Sequence, residues 1–363
     1  MSKDRKNSST KKKVIIAVSI IAAIILILVV TAAALLNSRI FQGQQGSLSS
    51  EINTSQDIKE DVVNFLVCGI DDEEGRGLGE RTDLIMYVTY DVKAGKVSIL
   101  QIPRDTYVEN TSTQKINAVF GRKENGGIQG LAGELNTLFG LPVDHYATIK
   151  MDGFKDLVDA MGGVEMNVPF NIDWGDGLKL NKGLQRLDGT HAEIIVRHRG
   201  AEGTSDGNYA LGDISRLQVQ RLFMAALLEQ VMNLSKTDLL GMVPTLLNYF
   251  STDLTPAEMM GFMGKVNDLS MSDMTMYLLP GEGVPPHYSH YSVHLDATAA
   301  LLNKAFRPYS DAVPAEDLKC IEKSNTSSDL DNNQGNLGEI VGGDSGKSDS
   351  SSSSSSQSSS EAA

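Results

Sequence analysis

Cysteine is almost absent. Cys68 and Cys320 are the only two in a chain of 363 residues, a pattern that supports neither a disulfide framework nor a zinc site. Cys68 sits in an apolar run and reads as a small buried hydrophobe. Basic residues are outnumbered: Lys and Arg total 32 against 46 Asp and Glu, for a formal net charge of −14 and a pI of about 4.9, which excludes a general nucleic-acid binder. Tryptophan occurs once, as Trp174, in a loop-like stretch over Phe170–Leu187, and reads as a packing residue. His287, His290 and His294 mimic a metal-ligand spacing, but their Pro- and Tyr-rich setting reads as a surface loop. Apolar anchors are missing from two stretches. Residues 37–61 have the Gln, Ser, Gly and charge of an extracytoplasmic stalk. Order fades beyond Pro314, and residues 311–363 run into serine repeats that cannot offset chain entropy, which predicts a disordered tail.

What is present suffices for one large domain, since 41% hydrophobic content is ordinary for a globular core. Ahead of it, Val14–Leu36 is an uncharged run about 34 Å long as a helix, enough to cross roughly 30 Å of hydrocarbon. Lys3, Arg5, Lys6, Lys11, Lys12 and Lys13 make residues 1–13 a basic cytoplasmic tail, so a single-pass anchor at 14–36 places everything later outside. The alternative, a cleaved signal peptide, is disfavoured by the length of the run.

The domain itself is expected over 62–310. Val62–Ile70 is nearly continuous in β-formers, as a strand buried on both faces is. Leu84–Tyr90 and Lys96–Ile102 follow as strands. Ile128–Phe139 reads as a helix closed by Gly140. His145–Met151, Asp152–Met161 (capped by Asp152) and Val164–Val168 read as strand, helix and strand, a spacing that implies a parallel pair with a crossover helix and an α/β architecture. Helices dominate from Ile214 to about Lys265, then Met274–Leu279 is a strand and Asp296–Phe306 a helix.

Charge concentrates at the ends of these elements. Asp71 closes the first strand, Arg81 and Asp83 open the second, and Arg104 follows the third. Further on, an extended Val196–Arg199 would project Arg197 and Arg199 from one face as two guanidinium forks that need an anion between them. Asp213, Arg216 and Gln220 recur at steps of three and four on one face of a helix. The bland alternative is an Asp213 cap paired with Arg216 beside two solvated arginines. Several arginines with two acids suit a diphosphate and a divalent cation: forks neutralise phosphoryl oxygens, and hard carboxylates hold Mg²⁺ through one or two bonds. Leu222–Met232 and Leu239–Phe250 are apolar enough to line a slot, against the simpler reading of core packing.

With these pieces in order, the sequence resembles the LytR-CpsA-Psr family of cell-envelope proteins over about Val62–Pro308. The matching motifs are Leu66-Val-Cys-Gly-Ile-Asp71, Arg81-Thr-Asp83, Ile102-Pro-Arg-Asp-Thr106, Lys115-Ile-Asn117, Asp152-Gly-Phe154 with Gly162-Gly-Val164, Leu187-Asp-Gly189, Arg197-His-Arg199 and Asp213-Ile-Ser-Arg216 with Gln220. The loop 200–212 is longer than usual for the family. The resemblance implies a three-layer α-β-α sandwich with a mixed central sheet, and a Mg²⁺-dependent phosphotransferase that moves a glycopolymer from undecaprenyl pyrophosphate to peptidoglycan. Carried over, Arg81, Arg104, Lys115, Arg197, Arg199 and Arg216 would grip the pyrophosphate, Asp71 and Asp83 would serve the metal or the incoming hydroxyl, and Asp213 and Gln220 would orient arginines. Two other functions are open: a polyprenyl pyrophosphatase with water as acceptor, which uses the same residues, and a non-catalytic protein that binds anionic polymer, which would keep the arginines but need neither Asp71 nor Asp83.

Overall fold

A computed structural model describes residues 48–55, 58–71, 80–175, 177–198, 213–233, 238, 249–254, 269–285 and 289–337, and in helix Asp213–Asn233 the side chains of 218–230. The expected membrane span at 14–36 lies outside these residues; among them, no helix is long and apolar enough to cross a membrane.

The apolar runs behave as their pattern demands. β1 (Val62–Asp71), β2 (Arg81–Asp91) and β3 (Lys96–Gln101) form an antiparallel meander. Helix α1 (Gly127–Phe139) then crosses over, ending on Gly140 in the left-handed conformation at φ 64°, and delivers β4 (His145–Lys150) parallel to β1. Successive strand residues point to opposite faces, and both faces are covered. Val63, Phe65, Met86, Val88, Val97 and Ile99 enter one core; Leu66, Cys68, Ile85, Tyr87 and Leu100 enter the other. The first core is roofed by α2 (Met151–Ala160), α3 (Gly189–Arg197) and α4 (Asp213–Asn233), the second by α1 and α5 (Leu295–Ala305). With β9 (Phe250–Thr252), β10 (Met274–Leu278) and β13 (Gln334–Asn336), the sheet runs β13-β10-β3-β2-β1-β4-β9 and is mixed, as expected of this three-layer fold. Cys68 and Cys320 are both free and buried.

Several expectations give way. Val164–Val168 (β5) is not parallel to β4; it pairs antiparallel with β8 (Gly183–Leu187) in a sheet of their own. Its alternate residues are exposed, the signature of a strand lying over a core on one face, and Gly162 and Gly163 at φ 76° and 87° supply the turn away from the main sheet. Residues 170–187 are not a loop: β6 (Ile172–Gly175) and β7 (Leu178–Leu180) make a hairpin before β8, with strands too short to show a period. Trp174 on that hairpin packs only in part: its ring meets that of buried His198 while 44% of the residue stays exposed. Helix α2 has Lys150 as its N-cap, and Asp152 sits in its first turn without capping it. On α4, Val219, Phe223, Ala225, Leu227 and Leu228 are buried in the first core, which makes these residues packing rather than slot lining, and 239–248 lie outside the described residues.

Both termini of the expected domain also move outward. β11 (Gly281–Gly283) and β12 (Tyr291–Val293) form a small hairpin whose Glu282 accepts the backbone N–H of Thr326 at 2.8 Å, and β13 adds to the edge of the main sheet, so the chain is folded at least to Leu337 and not only to 310. His294, expected in a surface loop, is buried with Nδ1 2.6 Å from Asp331 Oδ1. Of the expected stalk, Leu48 is buried in the second core. Thr54 is pinned through Asp144, whose carboxylate accepts the Thr54 N–H (2.8 Å), its hydroxyl (2.5 Å) and the Asn64 N–H (2.8 Å). Asn64 in turn donates to the Thr54 hydroxyl and accepts from Thr89, all three being buried. Removing the acceptor leaves three donors unsatisfied at once. Asp144→Ala is therefore expected to cost about 3 kcal/mol in urea unfolding, and Asp144→Asn, which keeps one acceptor oxygen, distinctly less.

Candidate active site

β1, β3, β4 and β10 point the same way, so their C-terminal ends share one edge of the sheet, the usual place for a ligand in an α/β fold. β1 ends there in Asp71, whose register partner on β2 is Arg81. Gly69 faces Leu84 and Ile70 faces Thr82, so Asp83 is left unopposed in a bulge. Such an irregularity frees a side chain from the ladder and re-aims it. Past β3, the chain places Arg104 with Nη1 2.7 Å from Asp83 Oδ1. Arg104 Nε stands 3.9 Å from Asp105 Oδ2, and Asp105 Oδ1 accepts Lys115 Nζ at 2.8 Å. Four side chains of alternating sign, Asp83, Arg104, Asp105 and Lys115, thus form one chain of ion pairs.

Arg197 reaches the same edge by another route. The stretch expected to be extended is the last turn of α3: Asp188 caps the helix by accepting the His191 N–H at 2.9 Å, a bond that draws its carboxyl below the ordinary range. Ala192, Ile194 and Ile195 then face the core and leave Glu193 and Arg197 together, one turn apart. Arg197 Nη1 donates to Glu193 Oε1 at 2.6 Å, and Nη2 lies 3.7 Å from Asp71 Oδ2. Burial alone would favour loss of its proton; the Glu193 bond and the fields of Asp71 and Asp83 outweigh that and hold the guanidinium above its ordinary pKa. Glu193 Oε2 is also 3.4 Å from Lys155 Nζ on α2.

Gln220 serves this arrangement from behind. Its Nε2 donates to the Val196 carbonyl at 2.8 Å, just before Arg197, and its Oε1 accepts Gln101 Nε2 at 3.0 Å at the end of β3. It ties α4 to the backbone that carries Arg197 and to the strand that carries Arg104. Arg81 has its Nε buried without a hydrogen-bond partner among the described residues. Asp213 begins α4 and Arg216 lies in its first turn, with their side chains outside the described residues, as is the whole of Arg199.

The structure therefore brings together Asp71, Arg81, Asp83, Arg104, Lys115, Arg197 and the support of Gln220. Sequence reasoning missed Asp105 and Glu193. Asp105 had a signal in its place beside Arg104; Glu193 had one only in its four-residue offset from Arg197, which an extended reading hides. Among the described residues no group of three or more His, Cys, Asp or Glu forms a self-sufficient metal cage. Asp71 and Asp83 both bear on Arg197, and two hard carboxylates fit Mg²⁺ where phosphate oxygens and water complete the shell.

The LytR_cpsA_psr family model matches residues 31–306. A Bacillus subtilis (strain 168) protein named polyisoprenyl-teichoic acid–peptidoglycan teichoic acid transferase TagV is 29% identical over 208 residues, covering 53% of this chain and 51% of that protein. A Bacillus licheniformis protein, named TagU of the same activity, is 28% identical over 233 residues, covering 64% and 72%. The chain thus spans about half the length of the TagV relative. The crystal structure of B. subtilis TagV matches with a TM-score of 0.53 and 25% identity over 66% of this chain and 93% of that one.

Because Gln220 is buried and holds two groups, Gln220→Ala strands the Val196 carbonyl and the Gln101 amide. The variant is expected to lose about 1–3 kcal/mol in urea unfolding.

Proposed function

The chain belongs to the LytR_cpsA_psr family, and from that premise and the arginine–carboxylate edge we propose that it transfers a glycopolymer from a polyprenyl pyrophosphate to peptidoglycan. The observation that carries this reading is the interleaving of Arg104 and Arg197 with Asp83 and Asp71 at the end of the sheet. The activity named for TagV and TagU supplies the substrates. An N-terminal anchor at 14–36 would set the domain on the outer face of the membrane, where lipid carrier and cell wall meet.

In this reading Arg81, Arg104 and Arg197, with Lys115, and Arg199 and Arg216 joining them, bind the diphosphate. Their forks match phosphoryl oxygens two bonds at a time and stabilise the charge that grows on the departing phosphate. A sugar hydroxyl of the acceptor attacks the phosphorus that carries the glycan; the new phosphodiester bond forms as the anhydride bond breaks, and undecaprenyl phosphate leaves. Asp71 or Asp83 takes the hydroxyl proton. Asp71 and Asp83, where they do not serve the hydroxyl, would hold Mg²⁺, which when bound would supply positive charge for the phosphoryl oxygens. Glu193, Asp105 and Gln220 keep the arginines in place.

Two experiments test this. Purified full-length chain in detergent, given Mg²⁺, lipid-linked oligosaccharide and peptidoglycan fragments, is expected to yield the phosphodiester-linked conjugate by mass and to stop with EDTA. Free glycan phosphate in place of conjugate would make it a pyrophosphatase, and no turnover would sink both enzymatic readings. The second is a substitution series. Arg197→Lys keeps the charge and loses the fork, so turnover is expected to fall roughly a hundredfold, about 2.7 kcal/mol, with the melting temperature nearly unchanged. Adding Arg199→Lys costs less than the sum of the two single changes, because both serve one diphosphate.

A further inference from the structure

Among the described residues, the chain's only tryptophan, Trp174, is with Tyr309 one of two large aromatic side chains left well exposed. It is held there by construction. In the β6–β7 hairpin Ile172 faces Leu180 and Asp173 faces Lys179, whereas Gly175 faces Leu178, so Trp174 stands unopposed in a bulge. Ile172 and Leu180 anchor the hairpin in the first core at 2% exposure each. The Trp174 ring meets the ring of His198 at 6.0 Å in an edge-to-face contact, and His198 is packed against buried Phe170 at 6.2 Å. A row of three rings therefore runs from the core to the surface. His198 follows Arg197 directly, so the row joins the backbone one residue after the arginine that meets Asp71. Beside the indole, Asp173 and Lys179 form an ion pair of 2.8 Å with both side chains 63% exposed.

A rigid, outward aromatic ring with charged hydrogen-bonding groups at its border is poorly explained by packing. Exposing part of an indole forgoes the gain from burying it, and Trp174 is left 44% exposed. The chemistry that fits is a ligand with one apolar face and hydroxyls around its rim. A pyranose ring is such a ligand: its C–H face stacks on an aromatic ring while its hydroxyls reach carboxylates and ammonium groups.

We propose that Trp174 is the stacking platform for one pyranose ring of the glycan bound at this site, with Asp173 and Lys179 bonding its hydroxyls. The proposal rests on the transferase reading for its ligand class, since either donor glycan or peptidoglycan acceptor presents such rings. Trp174 is then a specificity residue beside the reacting phosphate, outside the arginine–carboxylate machinery.

The single indole is its own reporter. Full-length protein in detergent is titrated separately with metal-free peptidoglycan glycan fragments and with a short-prenyl pyrophosphate oligosaccharide, following indole emission, iodide quenching and heat. One of the two is expected to shift the emission and shield the indole from iodide; which one identifies the ring as acceptor's or donor's. Trp174→Ala is expected to weaken binding of that glycan at least tenfold and to raise its KM with kcat little changed. Trp174→Tyr, which keeps an aromatic face, should restore affinity to within about threefold; Trp174→Ala should lower the melting temperature only slightly, through loss of the edge contact with His198, and Trp174→Tyr less still. Unchanged affinity of Trp174→Ala for both glycans, or an indole that stays equally quenchable at saturation, overturns the proposal. A glycan that binds and shields Trp174 while no conjugate forms would leave the platform standing and fail the transferase reading instead.

Discussion

A guanidinium withdrawn from water needs an anion at hand, and the candidate site is organised around that demand. Arg104 is held by Asp83 and Asp105, and Arg197 by Glu193 and Asp71. Each acid comes from a different kind of element: the end of β1, a bulge in β2, the turn after β3 and the last turns of α3. The fold has to bring all four to one edge, and the mixed sheet does so because β1 and β3 run parallel with β2 returning between them. The longer-range contacts keep these elements aligned. Gln220 locks α4 to α3 and β3 on one side of the edge, while Asp144 fixes the opposite end of β1 to the segment that enters the domain.

The main strands were legible because their pattern is unusual: runs apolar on both faces require cover on both sides, and two cores of buried residues supply it. The site was legible at Asp71, Arg81, Asp83 and Arg104, which lie where an apolar strand stops or starts. It was not legible at α3. Ala192, Ile194, Ile195 and Val196 read equally as a short buried strand, and only the Asp188 cap, worth about 1 kcal/mol, tips the segment into a helix. That single error of period concealed Glu193. The strands of 172–187 were lost for a related reason, since runs of three to five residues between glycines carry too little period to detect.

The folded C-terminal segment was hidden by composition. Between Leu318 and Leu337 only a few apolar side chains are buried, yet the segment makes a dense set of polar contacts. Ser292 receives the N–H groups of Lys323 and Ser324 at 2.8 and 2.9 Å. Glu282, nearly buried, accepts from Ser324 and Thr326, and these bonds outweigh its burial and hold its carboxyl below the ordinary range. Arg221 on α4 donates to Asn333, and β13 covers β10, which would otherwise be an open sheet edge. Apolar content measures how much surface a segment can hide from water, but it does not count the donors and acceptors an existing surface presents. A polar segment with few anchors folds where such a template is already built.

The ion pairs also bear on how the proposed chemistry would be gated. Without substrate, each arginine spends part of its donor fork on a carboxylate, so positive charge at the edge is balanced and the side chains are already ordered. A diphosphate brings oxygens that compete for those same donors with better charge and matching geometry. As Arg104 turns donors toward phosphate, the hold on Asp83 weakens; as Arg197 does so, the hold on Asp71 weakens. Glu193 and Asp105 remain to keep the guanidinium planes in place. In the proposed reaction the two carboxylates would thereby be released for a cation or a hydroxyl proton only where a diphosphate had taken their place. Substrate binding and activation would then be one exchange of partners within a preformed network, with little reorganisation left for the step in which charge moves.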